Sequence, residues 1–264
     1  MALLEIENLE VAFPGASGWV PAVRGVSLSV GQGEIVGLVG ESGSGKSVTA
    51  LSVLRLLPPR ARASGRVRLA ARGDTGPLDL LSAPEREIRK VRGGRIGFVF
   101  QEPSTALDPV WSIGFQIAEA IRAHRRVSRR EARDEAVRLL ELVALPDARE
   151  RLDDYPHQLS GGQRQRVMIA MALAAGPDLL LADEPTTALD VTIQAQILEL
   201  LESLRASLGL AVLLITHDLG VVAETCDRMA VMRDGLLVEE GRVEDVFRAP
   251  AHPYTRELLG ELPS

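Results

Sequence analysis

Four short apolar runs constrain this chain most, because each ends abruptly in residues suited to chemistry. They are Ile35–Val39 followed by Gly40, Ile96–Phe100 followed by Gln101, Leu179–Ala182 followed by Asp183 and Glu184, and Ala211–Ile215 followed by Thr216 and His217. Unbroken apolar runs of this length mark strands buried on both faces, which calls for a parallel sheet covered by helices. In such sheets ligands bind beyond the carboxyl ends of the strands, where all four polar groups fall. Helical patterns separate the runs. Val48–Leu57 stops at Pro58-Pro59, and Ile113–His124 and Ser128–Leu145 carry apolar residues at helical spacing. Ser128 with Glu131 forms a capping box, Gln163–Ala175 closes on Gly176-Pro177, and Val191–Leu208 closes on Gly209. At the N-terminus, Leu4–Phe13 alternates loosely and Gly25–Val30 strictly, predicting antiparallel strands with one wet face. Residues 102–158 hold no convincing strand and are expected to form a helical subdomain inserted between core strands.

Composition narrows the function classes. A chain of 264 residues suits one large domain, or a core with a subdomain. Its net charge of −6 argues against life on nucleic-acid phosphates, and its few aromatics (Phe 5, Trp 2, Tyr 2) offer no base-stacking platform. The single cysteine, Cys226, excludes an internal disulfide framework, a paired-cysteine zinc site and a cysteine-ligated iron–sulfur cluster. A lone thiol suits a reducing cytoplasm. The start Met1–Glu5 has no basic region, so no signal peptide is expected. The longest apolar stretch, Val167–Pro177, is about half a membrane span.

Gly40-Glu41-Ser42-Gly43-Ser44-Gly45-Lys46-Ser47 matches the phosphate-loop pattern between a predicted strand and a predicted helix. Its glycines let backbone N–H groups wrap a polyphosphate and the helix N-terminus adds its dipole. Lys46 reaches the β- and γ-phosphates, and Ser47 ligates Mg²⁺. At this composition a chance match is expected in roughly one chain in 700, before the strand–loop–helix context is required. Asp183-Glu184 is the expected second half of such a site. Asp183 holds Mg²⁺ and Glu184 orients and deprotonates the attacking water. A strand-end helix cap is the plainer reading of the same pair. A lone histidine or glutamine at a strand end is more often structural, but Gln101 and His217 end strands of the same sheet as the phosphate loop.

Leu159-Ser160-Gly161-Gly162-Gln163 carries the most information. Ser160 reads as an N-cap with Gln163 closing the box. Two glycines in a first helical turn cost about 1 kcal/mol each, so a purely structural helix start has no need of them. They open bare N–H groups to an anion, which makes a second phosphate cradle; a glycine-softened helix start is the alternative.

In order along the chain, the phosphate loop, Gln101, Leu159–Gln163, Leu179–Glu184, Thr187–Asp190 and His217 resemble the ATP-binding-cassette (ABC) ATPases. The resemblance implies an α/β fold: a P-loop NTPase (RecA-like) core with a mostly parallel sheet, an N-terminal antiparallel β subdomain and an inserted helical subdomain. Here the core corresponds to about 1–101 and 177–264 and the helical part to 102–176, in a single ATPase domain. It implies ATP and Mg²⁺ as cofactors and a head-to-tail dimer with two ATPs, each between the phosphate loop of one subunit and the 159–163 segment of the other. Residues 40–48, ending at Val48, would surround the phosphates. Ser160, Gly161, Gly162 and Gln163 would meet the partner's γ-phosphate, Asp190 would contact across the interface, and His217 would hold the γ-phosphate and water. Gln101 would sense Mg²⁺ and the membrane partner. Phe13 would stack on adenine, with core packing an equal alternative and Trp19 a rival.

Gln101–Pro109, Tyr155–Gly162, Asp183–Gln196 and His252–Leu259 look more narrowly like the dipeptide/oligopeptide/nickel importer class, D-type subunit. That resemblance implies two integral-membrane permease subunits, a second ATPase subunit (an F-type paralogue or another copy) and, indirectly, an extracytoplasmic solute-binding protein, with no nucleic acid. The expected location is the cytoplasmic face of the cell membrane. Longer peptide-importer members carry a cysteine cluster past the His-Pro-Tyr segment; ending at Ser264, this chain resembles the shorter nickel-type members. An ABC protein of DNA repair or translation is the alternative function, but repair members usually bring zinc cysteines or long coiled coils, and translation members two cassettes. A P-loop kinase would leave Leu159–Gln163 unexplained. The 102–111 segment, with Pro103, Pro109 and Trp111, reads as a stiff wall for a permease helix, with Leu107 and Trp111 as contacts. The basic run Arg122–Arg138 reads as a solvated helix face, with a contact to anionic lipid headgroups as the alternative.

Overall fold

The computed structural model describes residues 2–73, 76–187 and 189–260. Ala188 of the Thr187–Asp190 segment and the terminal Ser264 lie outside the described residues. Two compact units emerge, residues 1–89 with 211–264 and residues 90–210. The first opens with β1 (Ala2–Gly15) and β2 (Gly18–Gly31), then β3 (Ile35–Val39), α1 (Lys46–Val53), β4 (Arg62–Leu69), β5 (Leu78–Asp79) and α2 (Glu85–Val91) at its boundary. The second runs through β6 (Ile96–Val99), α3 (Pro103–Ala106), α4 (Ile113–His124), α5 (Arg129–Leu142), 3₁₀ turns at Glu150–Asp153 and Pro156–Gln158, α6 (Gly161–Ala172), β7 (Leu179–Asp183) and α7 (Val191–Leu208). The chain then returns to the first unit with β8 (Ala211–Ile215), α8 (Leu219–Thr225), β9 (Arg228–Arg233), β10 (Leu236–Arg242), α9 (Val243–Arg248) and α10 (Pro253–Gly260).

Within the first unit an antiparallel sheet runs in the order β2-β1-β4-β5. Leu4, Ile6, Leu9 and Val11 of β1 are buried, and a register shift between Ile6 and Leu9 keeps the inward residues inward. The same unit holds the order β10-β9-β3-β8, in which β9, β3 and β8 are parallel and β10 is antiparallel. In the second unit β6 and β7 pair in parallel, Ile96 opposite Leu179. Every residue of β3, β7 and β8 is buried, as their continuous apolar character requires. Gly40, Glu184 and Thr216 directly follow β3, β7 and β8, but Asp183 is the last residue of β7, and β6 ends at Val99, leaving Phe100 exposed and Gln101 two residues past the strand.

Residues 102–158 are helical or irregular, as expected. Helix α1 differs: it starts at Lys46 and stops at Val53, short of Leu57, because Arg55 turns left-handed at φ 52°. Helix α6 closes at Ala172, three residues early, ahead of Gly176 at φ 68°. Strand β9 lies outside the four apolar runs, although its buried Met229–Met232 stretch sits between two arginines. The Asp227 carboxylate accepts from the Ile35 amide at 2.9 Å, and Arg228 pairs with Glu34 at 3.1 Å and with Glu240. The bonds to Ile35 and Glu34 tie β9 to the start of β3, and the bond to Glu240 ties it to β10. In the second unit Arg95 bonds Asp178 at 2.6 Å, fixing the start of β7 beside β6.

Candidate functional site

In the first unit the loop between β3 and α1 is bent by glycines that nothing else could replace. Gly40 sits at φ 146°, and a Cβ there would lie 2.1 Å from the Met232 carbonyl. Gly45, at φ 104°, caps α1 without a side chain, and a Cβ would strike the Ala22 carbonyl at 2.5 Å. On the side of Gly43 the space is open, with no atom within 4 Å of where a Cβ would stand. The result is a concave backbone loop whose rear is packed and whose front can admit a phosphate chain. Lys46 is buried, and its ammonium donates to the Gly40 carbonyl at 2.7 Å and the Glu41 carbonyl at 2.9 Å. Its charge is thus parked on the loop itself. The Gly235 amide donates to the Ser44 carbonyl at 3.0 Å, while the Gly235 carbonyl accepts from the Arg24 amide at 2.8 Å, so the β9–β10 turn braces the loop from outside.

Also in the first unit, β8 delivers Thr216 and the exposed His217, with the Thr216 amide bonded to the Leu38 carbonyl at 3.2 Å. Phe13 is half-buried and pairs with Val20 across the β1–β2 ladder. Nearby, Val11, Ala12, Trp19, Pro21, Val23 and Arg62 help line a cleft of about 840 Å³ that does not include Phe13. The Arg62 guanidinium lies 3.8 Å from the Trp19 ring centre.

In the second unit β6 and β7 bring Gln101 and Glu184 together. The Gln101 amide donates to the Glu184 carboxylate at 3.0 Å, and the Thr187 hydroxyl donates to the same oxygen at 2.8 Å. Glu184 has φ 46°, a left-handed backbone that costs a non-glycine residue about 1–3 kcal/mol. Asp183, one residue earlier, is 8% exposed at the end of β7. Sequence reasoning gives Thr187 no role of its own; its spacing of three residues from Glu184, within a turn, is the available signal.

The Ser160–Gln163 capping box forms as expected: Ser160 Oγ accepts from the Gln163 amide at 3.3 Å, and Gln163 Oε1 accepts from the Ser160 amide at 2.9 Å. The two glycines differ. A Cβ on Gly162 would lie 2.6 Å from Ile193, so packing alone demands that glycine. A Cβ on Gly161 meets only an ordinary 3.5 Å contact with Leu189, so packing does not explain it. Asp190 caps α7, accepting from the Ile193 amide at 3.0 Å.

The 102–111 segment is held by Gln116, whose amide group bonds the Asp108 amide, the Asp108 carbonyl and the Trp111 carbonyl, each at 2.9 Å. Leu107 is 2% exposed, which corrects its reading as a contact residue: it is core, and charging it would test folding. Trp111 and Phe115 are exposed and stacked at 4.5 Å, beside a groove of about 440 Å³. Along 122–138 the arginines Arg125 and Arg133 are paired, with Glu135 at 3.3 Å and with Asp153 at 2.7 Å, as a solvated face should be.

The ABC transporter family profile matches residues 23–187. The chain is 53% identical to a probable peptide ABC transporter ATP-binding protein of Sinorhizobium fredii over 99% of its own length and 77% of that protein's. It is 52% identical to a putative peptide import ATP-binding protein of Brucella abortus, covering 78% of it, and 52% identical to a glutathione import ATP-binding protein of Escherichia coli, covering 42%. Among solved structures, a dimeric bacterial ABC transporter cassette superposes with a TM-score of 0.79 at 31% identity, over 91% of this chain and 98% of that one. The same cassette in a post-hydrolysis dimer bound to ADP and phosphate gives 0.78.

Proposed function

The chain belongs to the ABC transporter family, and on that footing we propose that it powers the uptake of di- or oligopeptides, working as one half of an ATP-sandwiching pair on the cytoplasmic side of a membrane permease. It has the P-loop NTPase fold and is an ATP hydrolase that drives solute import; a role in nucleic-acid repair or translation is not favoured. Among the described residues, no helix is long and apolar enough to cross a membrane. In this reading membrane passage belongs to partner subunits.

One observation carries the hydrolytic reading: Glu184, at a strand end in a left-handed backbone, with Gln101 and Thr187 both bonded to one carboxylate oxygen. A carboxylate so aimed takes the proton of the attacking water, and His217 holds that water and the γ-phosphate. Residues 40–48 wrap the phosphates and Lys46 leaves its carbonyl rests for the β- and γ-oxygens. Ser47, Asp183 and Gln101 supply hard oxygen donors, which fits Mg²⁺, an ion usually held by one or two protein ligands with substrate phosphates completing its shell. Held by these residues, Mg²⁺ would neutralise phosphate charge. Phe13 stacks on the adenine, with Trp19 as the competing aromatic. The chain acts as a single ATPase domain with a core at 1–101 and 177–264 and a helical subdomain at 102–176.

Ser160, Gly161, Gly162 and Gln163, with Asp190, serve the ATP of the other subunit, which is a second copy or an F-type paralogue. Ser160→Arg is therefore expected to block hydrolysis while the same chain still binds ATP within about twofold, at a capping cost of about 1 kcal/mol in stability. Mixed with Lys46→Ala it regenerates one intact composite site, and partial ATPase activity should return. Loss of ATP binding by the Ser160→Arg monomer would sink the shared-site reading.

Docking falls to the Trp111–Phe115 surface, held rigid by Gln116, against a short cytoplasmic helix of the permease. Trp111→Ala should cut ATP-driven uptake of a labelled dipeptide, in proteoliposomes holding the permease pair, at least about tenfold, because an aromatic anchor at an interface is worth roughly 2 kcal/mol. Its ATP affinity in solution should stay unchanged. Full uptake would put the docking surface elsewhere, and absence of dipeptide uptake by the unmodified chain would remove the peptide assignment.

A further inference from the structure

The His252–Leu259 segment plays no part in the phosphate chemistry above, yet its tyrosine reaches the phosphate loop. Tyr254 is 1% exposed and packs with Val39, Leu219, Val222, Met229 and Val231, and the Arg233 guanidinium lies 4.5 Å from its ring centre. Its phenolic oxygen accepts a hydrogen bond from the Glu41 amide at 3.1 Å, joining residues 213 apart in sequence. The segment is itself anchored: the Glu239 carboxylate accepts from the Ala251 amide at 2.7 Å and the His252 amide at 2.9 Å, and His252 Nδ1 accepts from the Tyr254 amide at 3.2 Å. Burial, and the Glu41 carboxylate beside it, hold the phenol above its ordinary range, so it stays protonated at neutral pH.

The Glu41 N–H and the Gly40 carbonyl belong to one peptide plane. Its oxygen receives the Lys46 ammonium at 2.7 Å, and its N–H is held by Tyr254. A peptide fixed at both ends cannot rotate, and the ammonium resting on it stays where the β- and γ-phosphates arrive. We propose that Tyr254 is a positioning residue of the phosphate loop, through which the His252–Leu259 segment sets the affinity for ATP. This rests on the reading of residues 40–47 as the ATP phosphate site. Preorganisation of this kind raises affinity by sparing the ligand the cost of ordering the loop.

The test compares the full chain with Tyr254→Phe, Tyr254→Ala and Lys46→Ala, measuring equilibrium binding of a fluorescent ATP analogue and thermal unfolding. Tyr254→Phe keeps the ring and its packing and removes only the hydroxyl. It should melt within about 2 °C of the parent and bind ATP about three- to tenfold more weakly, the effect of one hydrogen bond. Tyr254→Ala should lose both affinity and several degrees, as a buried aromatic leaves a cavity. A Tyr254→Phe protein that binds like the parent while Lys46→Ala does not overturns the proposal. So does a Phe variant that melts as low as the Ala variant, since the hydroxyl's role is then in stability. If Lys46→Ala also binds like the parent, the phosphate-site reading itself fails.

Discussion

Lys46→Ala is expected to weaken ATP binding at least about 100-fold. Lysine is scarce here, present only at Lys46 and Lys90, and Lys46 is buried with its ammonium on the Gly40 and Glu41 carbonyls. A buried ammonium with two carbonyl partners is a charge held ready to transfer to a stronger acceptor. Hydrogen bonds to charged groups contribute about 1.5–3 kcal/mol each, and losing two to the β- and γ-oxygens costs roughly 3 kcal/mol or more. Equilibrium titration with ATP checks this, with a circular-dichroism melt to establish that the loop's loss of its ammonium leaves the fold intact. Affinity within about threefold of the parent would remove Lys46 from the phosphate site.

Glu184→Gln should bind ATP normally and lose turnover by about 10² to 10⁴, the usual worth of a general base. The geometry makes this substitution clean. Glu184 receives both the Gln101 amide and the Thr187 hydroxyl on one oxygen, and a glutamine carbonyl oxygen can accept the same two bonds. The strained backbone at φ 46° is no harder for glutamine than for glutamate. What disappears is the ability to take a proton from water. The variant should then accumulate as an ATP-bound dimer, visible as a doubled mass in size-exclusion chromatography with Mg·ATP. Unchanged hydrolysis at saturating Mg·ATP would show that another group is the base.

Much of the site is legible because its signals are local. The strand-to-loop step at Val39–Gly40, the Ser128 and Ser160 capping boxes and the αL stop at Gly209 each depend on residues within about four positions of one another. Local propensity and hydrogen bonding suffice to write such features into sequence. Full burial of β3, β7 and β8 is likewise visible as unbroken apolar runs. Leu107 is different, because a lone leucine between prolines in a loop has no period to show which way it faces; packing turns it inward. The two glycines of Gly161-Gly162 look alike in sequence, and only the approach of Ile193 separates the one that packing requires from the one it does not.

The sequence alone determined the class of fold, the strand ends where polar residues gather, the glycine-rich loop with its lysine, and the carboxylate that follows β7. Periodicity reports burial and short-range bonds report loops, so these needed no third dimension. The tertiary structure decided which distant groups meet: Gln101 on Glu184 across 83 residues, Tyr254 on Glu41 across 213, and the β9–β10 turn against Ser44. Bonds of that span depend on how strands are ordered and how side chains fill the space between them, and no local pattern encodes which buried hydroxyl will face which amide.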